Sequence, residues 1–271
     1  IRSADEIEQK TGLSVYANVP LSPRQPALYQ AIQARQGGTH LLTVADPADL
    51  SVESLRSLRT ALQFAMLHAP NRVIMITGTT PGIGKSFISA NLAAIMAATG
   101  KRVLLIEADM RKGHLHDVFG VKRSPGLSEL VANVQPLEPV LRPQVVAGLD
   151  LIPGGAIPPN PAELLLSLST GDWLQRLQDQ YDLVLIDTPP VLAVSDACVL
   201  AQRAGTVLLV ARAETTTLGE LQETAKRLAQ AGGSVRGVVF NGLDFKRRYG
   251  YGYGYRYQRY DYGTPPKGTK A

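Results

Sequence analysis

Residues 78–86 read Gly78-Thr-Thr-Pro-Gly82-Ile-Gly84-Lys85-Ser86, a spacing suited to holding phosphate. Glycines at 82 and 84 let backbone N–H groups converge on phosphate oxygens, and a helix starting there adds positive potential. Lys85 has the reach to meet the β- and γ-phosphates, and the Ser86 hydroxyl is a hard oxygen ligand for magnesium. The candidate nucleotide contacts are therefore Thr79, Thr80, Pro81, Gly82, Ile83, Gly84, Lys85, Ser86 and Phe87. Loops of this type usually carry a glycine where Thr79 stands, whereas Gly78 lies one residue early, so the loop is a variant.

Two further segments supply acid. Arg102-Val-Leu-Leu-Ile-Glu107-Ala-Asp109-Met-Arg111 is an apolar run closed by carboxylates. A period of two puts Glu107 and Asp109 on one face, which suits positioning a hydroxyl beside a metal. Tyr181-Asp-Leu-Val-Leu-Ile-Asp187-Thr-Pro-Pro190 closes four apolar residues on Asp187, a candidate for the magnesium shell. The candidate catalytic groups are Lys85, Asp109, Glu107 and Asp187, and the candidate metal ligands Ser86, Asp187 and Asp109. One strand ending in Asp is an ordinary loop start. Three apolar runs, one opening into a Gly-rich turn and two closing on acids, point jointly to a site at the carboxyl ends of one sheet.

The elements that must position these groups follow from the pattern. A helix is expected from Ser3 to Lys10 and a strand over Ser14–Val19, then a Pro- and Gln-rich loop to Gly38. Leu41–Val44 reads as a short strand. Pro47 to His68 reads as an amphipathic helix with Leu55, Leu58, Leu62, Ala65 and Met66 as its buried stripe. Strands at Arg72–Thr77, Arg102–Glu107, Leu149–Ile152, Tyr181–Asp187, Thr206–Ala211 and Val235–Phe240 then alternate with helical stretches. The helices are Phe87–Thr99, Leu127–Val131, Pro161–Gln178, Ser195–Arg203 and Leu218–Gln230. Such alternation predicts an α/β fold of the P-loop NTPase type, a mostly parallel sheet with helices on both faces.

A chain of 271 residues, 45% hydrophobic, suffices for one sizeable α/β domain. The single Cys198 excludes an internal disulfide, fits a reducing compartment and reads as a small core residue. No run approaches the roughly eighteen apolar residues of a membrane span. The chain lacks an initiator Met and is expected to start inside a longer protein. Much of the net charge of +5 falls on Lys246, Arg247, Arg248, Arg256 and Arg259, beyond the last expected strand.

That terminal stretch holds seven of the ten tyrosines: Tyr249, Tyr251, Tyr253, Tyr255, Tyr257, Tyr260 and Tyr262. Alternating glycines raise the cost of ordering, and no aliphatic residue offsets it. It reads as a mobile tail that presents phenol hydroxyls for modification. A solubilising tail, or one that stacks on single-stranded RNA, fits the same composition.

Taken together, these motifs resemble the cytoplasmic kinase domain of bacterial tyrosine kinases, the Wzc-type proteins of capsular and exopolysaccharide export. The likeness covers nearly the whole chain: a variant P-loop, a second acidic motif ending Asp-Met-Arg, the Asp187 strand and a tyrosine cluster. It divides the chain into a juxtamembrane segment (1–39), a kinase domain (40–243) and a tail (244–271). It implies ATP and Mg²⁺ as cofactors and the tail tyrosines as phosphoacceptors. It also implies a cytoplasmic domain of an inner-membrane protein that assembles with itself. Implied partners are a low-molecular-weight tyrosine phosphatase and the polysaccharide polymerisation and export machinery, with no nucleic acid. Glu53, Arg56 and Arg59 match the family's oligomerisation motif; on their own they also read as a surface helix with an internal ion pair. Asn241 is suggested as an adenine contact, while Arg111 and Lys112 read either as phosphate ligands or as a solvated turn.

Two positions depart from that pattern. Glu107 stands where the family usually has Asp, which makes Asp109 the main candidate for the catalytic carboxylate. His114 follows Arg111-Lys112-Gly113 where some relatives carry a regulatory tyrosine, so that control point is expected to be absent. A second class, the partition and septum-site switch ATPases, shares the expected fold. Those proteins carry a signature lysine where this chain has Thr80, and they lack the tyrosine tail.

Overall fold

The computed structural model describes residues 1–166 and 169–244, without the side chains of 169–172. From the N-terminus, α1 (Ala4–Thr11), β1 (Val15–Pro20), α2 (Gln25–Gln33) and the single turn α3 (Leu42–Ala45) lead to α4 (Leu50–Ala65). The phosphate-loop unit follows as β2 (Val73–Gly78) and α5 (Lys85–Ala97), then β3 (Val103–Glu107). Short helices α6 (Leu115–Val118), α7 (Leu127–Val131) and α8 (Leu137–Val140) precede β4 (Arg142–Val146) and β5 (Leu149–Ile152). Next come α9 (Pro161–Leu166), α10 (Ser169–Gln180), β6 (Leu183–Asp187) and α11 (Asp196–Ala201). The described chain closes with β7 (Thr206–Arg212), α12 (Leu218–Gln230) and β8 (Val235–Leu243).

The strands form one eight-stranded sheet in the order β1-β8-β7-β2-β6-β3-β5-β4, parallel except for the β4–β5 pair. On β2, Val73 and Met75 enter one core while Ile74 and Ile76 enter the other, all fully buried. A strand buried on both faces needs apolar residues at every position, which is why its sequence does not alternate. The first core is closed by α1, α7, α10, α11 and α12, the second by α3, α4, α5 and α6. Because β2 is central and parallel to its neighbours, β6 and β7, the loops after β2, β6 and β3 emerge at one rim. The acidic ends and the glycine-rich turn meet there.

Three expectations are corrected. The Pro- and Gln-rich stretch contains α2, with Pro26 in its first turn, where a missing N–H costs nothing. None of its residues is fully buried, so it carries no apolar stripe to read. Residues 41–44 form a helical turn instead of a strand: Leu41 and Leu42 are both buried, and neighbours in a strand would point to opposite faces. The Thr43 N–H is met by Asn91 Oδ1 at 3.0 Å, with no ladder partner. The antiparallel edge strand β4 was not expected. It is half-exposed, carries Pro143 and places Gln144 at φ 52°, features that edge strands tolerate and that erase alternation. The helix expected over 161–178 is described as α9 and α10.

Elsewhere the expectations hold within a few residues. On α4, Leu55, Leu58 and Leu62 are fully buried, and Ala65 and Met66 are half-buried where the helix gives way to a 3-10 turn, Met66–His68. Its start is fixed by Asp49, which accepts the Ser51 N–H at 2.7 Å. The N-terminal segment is part of the sheet, since β1 pairs in parallel with β8.

Candidate active site

The loop from Gly78 to Ser86 is shaped by close approaches. Gly84 has φ 96°, and a Cβ there would stand 2.1 Å from Asn241 Nδ2. Only glycine fits. The variant spacing also has a cause: a Cβ at Gly78 would overlap Ile83 Cδ1 at 2.3 Å and Val210 O at 2.8 Å. The backbone crowding thus falls on residue 78, and Thr79 is accommodated fully buried. Thr80, Gly84, Ser86 and Phe87 are half-buried, Ile83 is buried, and Pro81 and Gly82 are exposed at the tip. Two contacts outside the loop hold it: Asn241 Nδ2 donates to Ile83 O at 2.9 Å, and Arg212 Nη1 donates to Gly82 O at 3.2 Å.

Lys85 begins α5 and is only 7% exposed. Among the described residues it makes no direct ion pair. Burial lowers its pKa, and the charges of Asp187 and Asp109 pull it back up. A buried ammonium held between distant carboxylates is a cation awaiting an anion.

Asp187 ends β6 beside it. Ser86 Oγ donates to Asp187 Oδ2 at 2.7 Å, and Ser89 Oγ donates to Oδ1 at 2.8 Å. Burial pushes the Asp187 carboxyl up to about 6, against the pull of Ser86, Lys85 and Ser89 and with a further push from Glu107. Ser89 escaped the sequence reading. Its spacing of three from Ser86 places both hydroxyls on one helix face, which is the signal that could have found it.

The two carboxylates at the end of β3 and just beyond it have different surroundings. Glu107, in register with Asp187, is fully buried. Its Oε1 accepts the Leu115 N–H at 2.5 Å, and its Oε2 accepts the Gly154 N–H at 2.8 Å and lies 3.3 Å from His116 Nδ1. Both oxygens are therefore committed to the loops around it. Asp109 lies past the strand, half-exposed. Its Oδ1 accepts the N–H groups of Lys112 at 2.9 Å and Arg111 at 3.2 Å, while Oδ2 takes no hydrogen bond among the described residues. Arg111 is neither free nor merely solvated, because it is ion-paired with the buried Asp196 at 3.0 Å. The Lys112 side chain is exposed.

The structure thus brings together Lys85, Ser86, Asp187 and Asp109 at one rim, with Glu107 beneath. Asn241 is 6% exposed and spends its amide on the loop. Glu53, Arg56 and Arg59 lie along α4, whose first turn is tied to the end of β1 by Ser51 Oγ donating to Pro20 O at 2.9 Å. Arg56 Nη1 bonds Glu53 Oε2 at 2.9 Å, and Arg59 has no ion-pair partner among the described residues. His114 is exposed. The seven tail tyrosines lie outside the described residues. No helix among the described residues is long and apolar enough to cross a membrane.

The residues fit a nucleotide with magnesium. The glycines leave room for backbone amides to face phosphate, and Lys85 is a buried cation with no ion-pair partner among the described residues. The Ser86–Asp187 pair offers one hydroxyl and one carboxylate, the sparse protein share that magnesium takes beside phosphate oxygens. Among the described residues no group of three or more His, Cys, Asp or Glu would hold a metal without such help. Fold and site therefore define a protein of the P-loop NTPase type.

Comparison with known proteins agrees. Residues 71–233 match the AAA domain family. A putative tyrosine-protein kinase EpsB of Ralstonia solanacearum is 56% identical over 97% of the chain, and the tyrosine-protein kinase wzc of Salmonella typhimurium is 44% identical over 98%. The chain spans 35% and 37% of the lengths of those relatives. Among solved structures, the BceF tyrosine kinase domain superposes with a TM-score of 0.83 at 49% identity, covering 90% of this chain and 99% of that one. The septum site-determining protein MinD of Pyrococcus horikoshii, solved with Mg-ADP, shares 66% of the chain at 25% identity and a TM-score of 0.54. This chain belongs to the bacterial tyrosine kinases, as a kinase domain of that family.

Proposed function

We propose that this chain transfers the γ-phosphoryl group of ATP to tyrosine hydroxyls, chiefly those of its own C-terminal cluster, and in trans between copies. The observation that carries the reading is the buried Lys85, without an ion-pair partner among the described residues, set among Ser86, Asp187 and Asp109. The phenol oxygen attacks the γ-phosphorus as the bond to the β–γ bridging oxygen breaks, giving ADP and phosphotyrosine. Lys85 and the loop amides stabilise the charge on the transferred group. Ser86 and Asp187 would hold magnesium, which would supply further neutralisation of phosphate charge. Free phenol titrates near ~10, so at neutral pH the acceptor loses its proton as it attacks, and Asp109 Oδ2 is placed to take it. Glu107, with both oxygens committed to its loops, assists by holding the Asp109 turn. Asn241 serves by holding the loop, and its role as a base contact remains part of the proposal.

Support for trans transfer comes from where the chain leaves the sheet. Strand β8 is parallel to β7 and hence to β2, so residue 244 emerges at the nucleotide rim. A Gly-rich coil the length of residues 244–271 spans roughly 30 Å and extends to around 90 Å, enough to reach a neighbour. Self-assembly runs through Glu53, Arg56 and Arg59 on α4. Each phosphorylation adds about −1.5 to −2 charges, turning a basic tail acidic and weakening its docking on a neighbour's acidic rim. The family context extends the proposal to control of capsular or exopolysaccharide export from the cytoplasmic side of the inner membrane. A cognate low-molecular-weight phosphatase and the export machinery would be its partners.

The likeness to MinD favours one competing reading, a switch ATPase that hydrolyses ATP to water. Thr80, in place of the lysine that such proteins extend across a dimer, speaks against it. Incubation with labelled ATP and Mg²⁺, with and without residues 244–271, separates the two. The kinase yields phosphotyrosine, whereas tail-independent phosphate release without phosphotyrosine would establish the ATPase.

A further inference from the structure

One buried carboxylate at the rim has no duty in the reading above. Asp196, the first residue of α11, is fully buried, yet both of its oxygens are taken. Arg111 donates Nε to Oδ2 at 3.0 Å and Nη2 to Oδ1 at 3.2 Å. A buried carboxylate is costly unless paired, and a planar two-point contact fixes direction as well as charge.

The two partners come from the two loops that matter most. Arg111 belongs to the turn that carries Asp109, and its own N–H and that of Lys112 bond Asp109 Oδ1. Asp196 follows the segment after Asp187, which is stitched to the phosphate-loop strand. Thr188 N–H donates to Ile76 O at 3.1 Å, Val191 N–H to Gly78 O at 2.9 Å, and Leu192 N–H to Thr79 O at 3.2 Å. The ion pair therefore closes a ring running from the Asp109 turn through α11 to the loop that holds phosphate. It also has an electrostatic consequence. Arg111 lies two residues from Asp109 and feels its charge. A guanidinium without Asp196 would be drawn to Asp109, whose charge already acts on it and whose Oδ2 takes no hydrogen bond among the described residues.

We propose that Asp196 and Arg111 are positioning residues for phosphoryl transfer: the Asp196 carboxylate holds the Arg111 guanidinium off Asp109, keeping Oδ2 open to the acceptor hydroxyl. This rests on the role given to Asp109 under Proposed function. A pure stability role for the same pair makes different predictions.

The experiment compares the full chain with Asp196→Asn and Arg111→Lys. Lysine keeps the charge but loses the planar fork, so it separates orientation from charge balance. Steady-state tyrosine phosphorylation gives kcat and the KM for ATP. Hydrogen–deuterium exchange without nucleotide reads the Arg111 and Lys112 amides, and circular dichroism checks folding. We expect kcat to fall at least about 10-fold in each variant, with the KM for ATP within about 2-fold, folding intact and both amides exchanging faster. Wild-type kcat in Arg111→Lys overturns the inference, as does a loss of kcat that merely follows a loss of folded protein. If the wild-type chain makes no phosphotyrosine, the proposed function fails and this inference with it. An active wild type beside a fully active Arg111→Lys sinks only the inference.

Discussion

Two sets of charged residues, one at the nucleotide rim and one along α4, are built on opposite principles. At the rim and just beneath it, Glu107, Asp187 and Asp196 are essentially inaccessible, and each carboxylate is held by named donors. On α4, the Glu53 and Arg56 side chains are 57% and 37% exposed, and their 2.9 Å contact lies in solvent. An exposed pair of this kind contributes about 0–1 kcal/mol, whereas removing one partner of a buried pair costs roughly 3–5 kcal/mol. Burial at the rim therefore fixes geometry, while exposure on α4 leaves its charges accessible to the proposed contact with a second copy. The two regions should respond differently to substitution.

The sharpest break is expected at the rim. Lys85→Met should lower tyrosine phosphorylation by at least about 10²–10³-fold, because its charge serves the transferred group. Circular dichroism should find the fold unchanged. Activity near wild type would remove the phosphate-loop assignment.

Asp187 offers a test by pH. Its carboxyl is raised from an ordinary 3.8 to about 6. The folded state thus binds the proton more tightly than the unfolded one. The resulting stability is fully present below about 3.8 and is lost as pH rises through 6. Without nucleotide, wild type should lose on the order of 3 kcal/mol between pH 4 and 7 relative to Asp187→Asn, measured by urea unfolding. Parallel pH profiles for the two proteins would contradict the assignment.

A smaller effect is expected at Gly84. Alanine there meets φ 96° and the Asn241 amide, at a cost of about 1–3 kcal/mol. Nucleotide affinity by calorimetry should fall about 10–100-fold, while unchanged affinity would mean that the loop is not held as described.

The α4 ribbon should move stability least. Glu53→Ala, Arg56→Ala and Arg59→Ala together should shift unfolding by under about 1 kcal/mol. They should nevertheless yield a monomer by light scattering that labels its tail slowly. An unchanged mass with unchanged labelling would return the ribbon to an ordinary helix surface.

The same contrast explains what was legible in the sequence. The strands from β2 to β8 that lie inside the sheet announce themselves by apolar runs, and Lys85, Ser86 and Asp187 by their place at strand ends. The misread elements are those whose residues are not sorted by burial. Helix α2 buries nothing fully, β4 is a half-exposed edge, and Leu41-Leu42 are buried together in a turn. At the site, local spacing placed the phosphate loop but could not reveal partners far apart in the chain. Arg111 meets Asp196 across 85 residues, Arg212 meets Gly82 across 130, and Asn241 meets Ile83 across 158. Such pairs exist only once the sheet has set the strand order. For the same reason a strand's period of two put Glu107 and Asp109 on one face, whereas β3 ends at Glu107, which lies in the interior, and Asp109 follows it at the rim.

The account's central claim is tyrosine transfer between copies, from one rim to a neighbour's tail. It is tested most directly by mixing full-length Lys85→Met protein with active protein that lacks residues 244–271, in the presence of labelled ATP and Mg²⁺. The account predicts phosphotyrosine on the inactive chain between Tyr249 and Tyr262, at a rate that rises with the concentration of active protein. An inactive chain that stays unlabelled, while full-length active protein labels itself at a rate independent of concentration, would contradict it.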